Sequence, residues 1–259
     1  MCVNEGDLLE KENEYAIETK DLVKIYKTGK VKAVDGLNLR IKKGEIYALI
    51  GANGSGKTTS LNMIAGALFP TSGDIKVLGY DVPKNRRLIT NYIGVAPQDY
   101  SICFDLSLEE NVRFFSRLYG MRKAEFEPRF TELLRILRLE EKRKALTKNL
   151  SGGMKRRTSI ACALIHNPRI VFFDEATVGI DPVLRTFFWE YFNSLKEEGV
   201  TIVLTSHVMD EAERADRIGL MRGGKLIAEG TPTELTTEHN VATIEEIFIK
   251  LSKGEVMDE

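Results

Sequence analysis

Read for its alternation of apolar and polar positions, the chain falls into three stretches of different rhythm. From Ala16 to Gly51 the segments AIETKDLVKIY, VKAVDGLNLRI and EIYALIG read as strands, set apart by turn signals at Thr28-Gly29 and Lys43-Gly44. The last is a dense apolar run ending in glycine, the pattern of a buried strand feeding a loop. A helix is predicted from Lys57 to about Gly66, then a strand over Asp74 to Leu78, then an apolar segment YIGVAPQ ending at Gln98. The middle of the chain is helical: Ser107 and Glu110 form a capping box, and Leu108, Val112, Phe115 and Leu118 recur at helical spacing. Further helical text, rich in Arg, Lys, Glu and Leu, runs from Lys123 to about Lys148.

A small-residue loop and a helix from Gly152 to His166 close that middle stretch, and the strand–helix rhythm then returns. RIVFFDE and VTIVLTSH read as buried strands flanking a helix from Pro182 to Glu198. A helix at about Val208 to Arg214 and strands RIGLM and KLIAEG follow. In TIEEIFIKLSKG, positions Ile244, Ile247, Phe248 and Leu251 share one face of an amphipathic helix. Strands alternating with helices predict an α/β core with a largely parallel sheet, interrupted by a helical insertion over about residues 105–165.

Composition narrows the class without deciding it. A chain of 259 residues fits one large domain, and 43% hydrophobic with 29% charged residues is ordinary for a globular protein. A net charge of −1 gives no electrostatic case for a nucleic-acid binder, and no such partner is expected. No apolar run approaches the roughly 20 residues that span a bilayer. The opening MCVNEGDLLEKENE lacks an apolar signal core and reads as a polar tail over residues 1–14. Cys2, Cys103 and Cys162 have no metal-ligand spacing and imply a reducing, cytosolic setting.

The chemistry begins at Gly51-Ala52-Asn53-Gly54-Ser55-Gly56-Lys57-Thr58-Thr59, which fits the phosphate-loop pattern G-x-x-x-x-G-K-[ST]. Glycines let the backbone wrap a phosphate and aim N–H groups inward, and the following helix N-terminus favours the anion. Lys57 is expected to reach the β- and γ-phosphates, and the Thr58 hydroxyl to join a Mg²⁺ shell. At ordinary glycine usage such a match arises by chance in roughly one chain of this length in a hundred. Downstream, Ile170-Val171-Phe172-Phe173-Asp174-Glu175 is a buried strand that delivers two acids to a sheet edge. Asp174 is expected to hold Mg²⁺ and Glu175 to polarise the attacking water.

Leu150-Ser151-Gly152-Gly153, opening a helix, completes a set that resembles the ATP-binding cassette (ABC) ATPases from about Tyr15 to Leu251. The resemblance implies a phosphate-loop core sheet, an antiparallel β subdomain and an inserted helical subdomain. It implies an ATPase domain over 15–236 and a C-terminal amphipathic helix with its tail over 237–259. In that family the LSGG turn crosses a dimer interface to cap the partner's γ-phosphate, which assigns Ser151 and Gly153 to contact. Tyr26 matches the adenine-stacking position, Gln98 the residue sensing Mg²⁺ and the attacking water, and His207 the γ-phosphate histidine. Ile180-Asp181 matches the loop that couples the two subunits. Met154 stands where many members carry glutamine, and Ala176 where proline usually follows the glutamate. His166 and His239 lack any such context and receive no role.

One phosphate loop and one LSGG turn per chain imply a dimer, with a second copy or a related ATPase subunit. Tyr100, Ile102 and Phe104 stand where related transport ATPases receive a short helix of an integral membrane permease. GTPTEL followed closely by TIEEIFIKL resembles the tail of export-type subunits, as in drug and polysaccharide efflux. The expected function is ATP hydrolysis, at the inner face of the cell membrane, powering a separately encoded permease of an exporter. The alternative is a soluble ABC ATPase of non-transport type, such as those of iron–sulfur assembly or macromolecule remodelling.

Overall fold

The structure is a computed structural model that describes residues 14–175 and 182–254. In chain order, β1 (Tyr15–Tyr26) and β2 (Val31–Lys42) form a long hairpin, and β3 (Ile46–Ile50) leads through the phosphate loop into α1 (Lys57–Ile64). Strands β4 (Ser72–Val77) and β5 (Tyr80–Asp81), helix α2 (Val82–Ile89) and β6 (Ile93–Ala96) follow. Helices α3 (Leu108–Leu118), α4 (Lys123–Ile136) and α5 (Gly152–Leu164) make up the helical insertion. The chain continues through β7 (Ile170–Asp174), α6 (Pro182–Glu197), β8 (Thr201–Ser206) and the single turn α7 (Met209–Ala212). Strands β9 (Arg217–Arg222) and β10 (Lys225–Gly230) and helices α8 (Pro232–His239) and α9 (Ile244–Gly254) complete it.

Two sheets result: an antiparallel one ordered β2-β1-β4-β5, and a core sheet ordered β10-β9-β3-β8-β7-β6. The core pairs are parallel from β9 to β6, with β10 added antiparallel at one edge. The continuous apolar runs in the sequence have their cause here, because this sheet is covered on both faces. On β3, Ile46, Ala48 and Ile50 face a core shared with α3, α4, α5 and α6. Tyr47 and Leu49 face a second core shared with α1 and the antiparallel sheet. Val171 and Phe173 against Ile170 and Phe172 repeat that period-2 division on β7.

The parallel register matters most for function. Ile50 lies opposite Ser206, and Asp174 opposite Thr205. The residues that leave the ends of β3, β7 and β8, namely Gly51, Glu175 and His207, therefore emerge at one edge of the sheet.

The structure departs from the sequence reading at four places. Helical text after Lys123 stops at Ile136, because Leu137 and Leu139 are both buried and the chain reverses between them through Arg138 at φ +51°. The helix expected over Val208 to Arg214 is one turn long. Leu118, expected on the core stripe, is 65% exposed at the last residue of α3. Helices α2 and α8 were not legible as periodic segments, although α8 carries a capping box from Thr231 and Glu234 with Pro232 at its first turn.

Candidate functional site: a phosphate loop, two acids and their partners

The phosphate loop is shaped by glycines that no other residue replaces. A Cβ on Gly51 would lie 2.2 Å from the Met221 carbonyl oxygen, and one on Gly56 2.3 Å from that of Ala33. Gly56 also has φ +105° and starts α1 with no side-chain cap, so the first N–H groups of that helix face the loop. Lys57 is 4% exposed and its Nζ donates to the carbonyls of Gly51 (2.7 Å) and Ala52 (3.0 Å). Burial pushes the Lys57 ammonium below its ordinary pKa, while the nearby Glu175 and Asp174 carboxylates pull it back up. The Ser55 hydroxyl is buried and unpartnered among the described residues. Ala52, Asn53 and Gly54 stand exposed beside it.

Asp174 and Glu175, at the end of β7, are separated in task by their partners. The Asp174 carboxylate accepts from the Thr58 hydroxyl at 3.0 Å and from the Thr205 hydroxyl. The Glu175 carboxylate reaches Gln98 Nε2 and His207 Nδ1, each at 3.2 Å. Gln98 and His207, far apart in sequence, thus meet around one side chain. Glu175 has φ +50°, a left-handed conformation that is costly for a side chain of this size. Its N–H is held by both the carbonyl and the hydroxyl oxygen of Thr205, each at 3.1 Å.

The remaining sequence-derived positions are dispersed. Tyr26 ends β1, 40% exposed, with the Lys24 ammonium 5.5 Å from its ring centroid. The Ser151 hydroxyl caps its own helix by accepting from the Met154 N–H at 3.3 Å, and Ser151 and Gly152 face solvent. Thr59 is half-buried within α1, and Gly153 has open space where a Cβ would stand. Ala176, Ile180 and Asp181 lie outside the described residues. Tyr100 and Phe104 are 40% and 44% exposed and contact each other edge to face, whereas Ile102 packs partly on the larger core.

Two groups in the site escaped the sequence reading. Thr205 bridges both acids, and its signal was only a hydroxyl in an apolar strand. Arg156 is 6% exposed and donates to the carbonyls of Gln98, Asp174 and Glu175 at 3.1, 2.9 and 2.7 Å, and to that of Pro97. Its signal was helical phase, since Arg156 shares the buried face of α5 with Ile160 and Ala163.

A divalent ion fits this donor set. Thr58, Asp174 and the Gln98 amide offer hard oxygens, and magnesium usually keeps several waters and substrate phosphates beside one or two protein groups. Among the described residues no group of three or more His, Cys, Asp and Glu side chains forms a metal cage.

A glycine cradle at the end of one core strand, with paired acids at the end of the strand two places along, defines a phosphate-loop nucleotide-binding domain. The model of the ABC transporter family matches residues 34–178. The chain belongs to that family. It is 42% identical over 243 residues to a probable multidrug ABC transporter ATP-binding protein of Escherichia coli, covering 92% of this chain and 42% of the relative. It is also 42% identical over 234 residues to a Nod factor export ATP-binding protein of Rhizobium etli, covering 90% of this chain and 73% of that one. The chain thus spans less than half of the first relative's length. Among solved structures it is similar to an ATP-binding subunit of an ABC transporter, with a TM-score of 0.84 and 30% identity, covering 92% and 99% of the two chains. A dimeric post-hydrolysis ATP-binding cassette bound to ADP and phosphate matches with a TM-score of 0.78 and 29% identity, covering 83% and 98%.

Proposed function

We propose that this chain hydrolyses ATP as a dimer and drives an exporter whose membrane-spanning permease is a separate polypeptide. The observation that carries the proposal is the convergence of Lys57, Asp174, Gln98 and His207 on Glu175 and the phosphate loop. In this reading Lys57 leaves the Gly51 and Ala52 carbonyls for the β- and γ-phosphates, and Gly51 to Thr59 wrap them. Thr58, Asp174 and Gln98 hold Mg²⁺, which when bound neutralises charge on the phosphate oxygens. Glu175 accepts a hydrogen bond from the attacking water and orients it. His207, on the same carboxylate, contacts the γ-phosphate. Tyr26 stacks on the adenine.

Ser151 and Gly153 contribute to the γ-phosphate bound by the second subunit, which requires one copy to face another. The dimeric, ADP- and phosphate-bound structural relative supports that arrangement. Export is supported by the names of the relatives, multidrug and Nod factor export, and none of them speaks for the non-transport alternative. Among the described residues no helix is long and apolar enough to cross a membrane. In this reading the transported molecule passes through a partner. Tyr100, Ile102 and Phe104 are the surface proposed to receive it, at the inner face of the membrane.

The decisive experiment is affinity capture of the tagged protein from detergent-solubilised membranes of its own cells. A multi-span protein lost on the double change Tyr100→Glu with Phe104→Glu supports the proposal. Capture of a soluble scaffold in its place overturns the transport assignment.

A further inference from the structure

The guanidinium of Arg156 is buried at the sheet edge, where an unsatisfied cation is expensive. Four of its hydrogen bonds go to main-chain carbonyls of two segments far apart in sequence, Pro97-Gln98 and Asp174-Glu175. Those segments carry both the glutamate that polarises water and the glutamine bonded to its carboxylate. The Glu175 peptide is left-handed, so its side-chain direction depends on whatever holds that backbone. Thr205 holds the N–H side, and Arg156 holds the carbonyl side. Arg156 sits one turn along α5 from the Ser151–Gly153 turn, and the neighbouring Lys155 ammonium lies 5.3 Å from the exposed Phe104 ring.

We propose that Arg156 is a positioning residue for hydrolysis: it fixes the Glu175 and Gln98 main chains to one another and to α5, and so sets the line from the Glu175 carboxylate to the attacking water. The proposal rests on Glu175 being the water-polarising group. A planar fork with several N–H donors spans two pairs of carbonyls, which an ammonium does only in part. A displacement of α5 by the partner subunit would then shift both site segments together. Arg156 touches neither nucleotide nor water in this account and acts only through the two main chains.

The test measures phosphate release against ATP concentration and equilibrium binding of trinitrophenyl-ATP for Arg156→Gln, Arg156→Lys, Glu175→Gln and the Arg156→Gln, Glu175→Gln double variant. Arg156→Gln is expected to lower kcat about tenfold or more, as misplacement of a catalytic group does, with KM and analogue affinity within about twofold. Arg156→Lys should recover part of that loss. In single-turnover measurements the double variant should be no slower than Glu175→Gln alone, because the residue acts through that carboxylate. If Arg156→Gln does not fold, Arg156→Lys against wild type carries the same comparison, with a smaller kcat loss at unchanged KM. Normal kcat beside an inactive Glu175→Gln overturns this proposal alone, as does a multiplicative loss in the double variant or an equal fall in affinity. Normal turnover by Glu175→Gln overturns the assignment of Glu175, and this inference with it.

Discussion

The phosphate loop and the LSGG turn are built from the same materials, small residues opening a helix, yet they end in opposite conditions. At the phosphate loop, Lys57 and Ser55 are 4% and 5% exposed, and a Cβ on Gly51 or Gly56 has no room. At the LSGG turn, Ser151 and Gly152 face solvent, Ser151 caps its own helix, and Gly153 has open space around it. The first loop is constrained by its own chain and the second is not. A glycine that is demanded by the fold and a glycine that is demanded by something outside it differ in what a methyl group would meet. In the proposed dimer, that difference is the reason one chain binds a nucleotide while a second copy finishes the site.

The comparison breaks most readily at Glu175. Glu175→Gln keeps the side-chain shape and the Gln98 and His207 neighbourhood while replacing the carboxylate proposed to orient water with an uncharged amide. Phosphate release should fall by about 10² to 10³, in the range that a positioned base contributes, with nucleotide affinity unchanged. Gel filtration should then show an ATP-dependent dimer that the wild type forms only transiently. Normal turnover would reduce the acid pair to a structural strand end. A dimer equally abundant without ATP would remove the nucleotide from the interface.

Gly51→Ala tests the constrained loop directly. With its Cβ 2.2 Å from one backbone oxygen and 2.7 Å from the Ser55 hydroxyl, the loop must open or β9 must shift. The cost should be about 3 kcal/mol in urea unfolding, in the class of overpacked sites, together with loss of nucleotide binding. A variant as stable as wild type would show that the loop is as free as the LSGG turn.

A third measurement separates the scaffold from the site. His166 stacks on Tyr119 at 3.6 Å between ring centroids and reaches the Ile93 carbonyl at 3.0 Å. Burial, helped by the Arg129 charge, brings its pKa down to about 4, against the hydrogen bond to Ile93. The unfolded chain protonates near the ordinary value of about 6.5, so below that pH it binds more protons than the folded chain. This contribution to stability is therefore complete above pH 6.5, is lost as pH falls toward 4, and changes no further below it. Between pH 7.5 and pH 5 the loss should be about 2 kcal/mol in urea unfolding. His166→Phe, which keeps the stack, should remove that difference at the expense of the Ile93 bond. An acid sensitivity unchanged in His166→Phe would assign it to other groups.

The contrast between the two loops also marks what the sequence could disclose. The glycine spacing of the phosphate loop and the apolar strands ending in Asp174 and His207 were legible because each is a local pattern, and the parallel register then brought them together without further instruction. Arg156 and Thr205 were not legible as site residues, since their partners lie 18 to 59 residues away for Arg156 and 30 and 31 away for Thr205. The stop of α4 at Ile136 had the same origin: Leu137 and Leu139 read as helix, but both are buried in the larger core on either side of the left-handed Arg138, a demand set only in three dimensions. Local chemistry was readable from sequence, whereas the tertiary clamps that aim it were not.

The smallest effect is the most discriminating, because stability and function should move in opposite directions. Gly153 lies inside α5, with nothing within 4 Å of a built Cβ. Alanine there gains helix propensity, worth up to about 1 kcal/mol, so Gly153→Ala should unfold at slightly higher urea than wild type. The isolated subunit should bind trinitrophenyl-ATP as before. ATP-dependent dimerisation and turnover should nevertheless fall, since the methyl group would stand where the proposed dimer brings the second subunit's phosphate to the helix start. Mixing Gly153→Ala with Lys57→Ala, which fails at the opposite loop, would form dimers holding one intact pairing of phosphate loop and LSGG turn. Recovery of turnover in the mixture above the sum of the separate rates places the two loops in different chains of one site. A mixture no better than that sum would mean that each chain completes its own site, and the open space at Gly153 would then have no bearing on a partner.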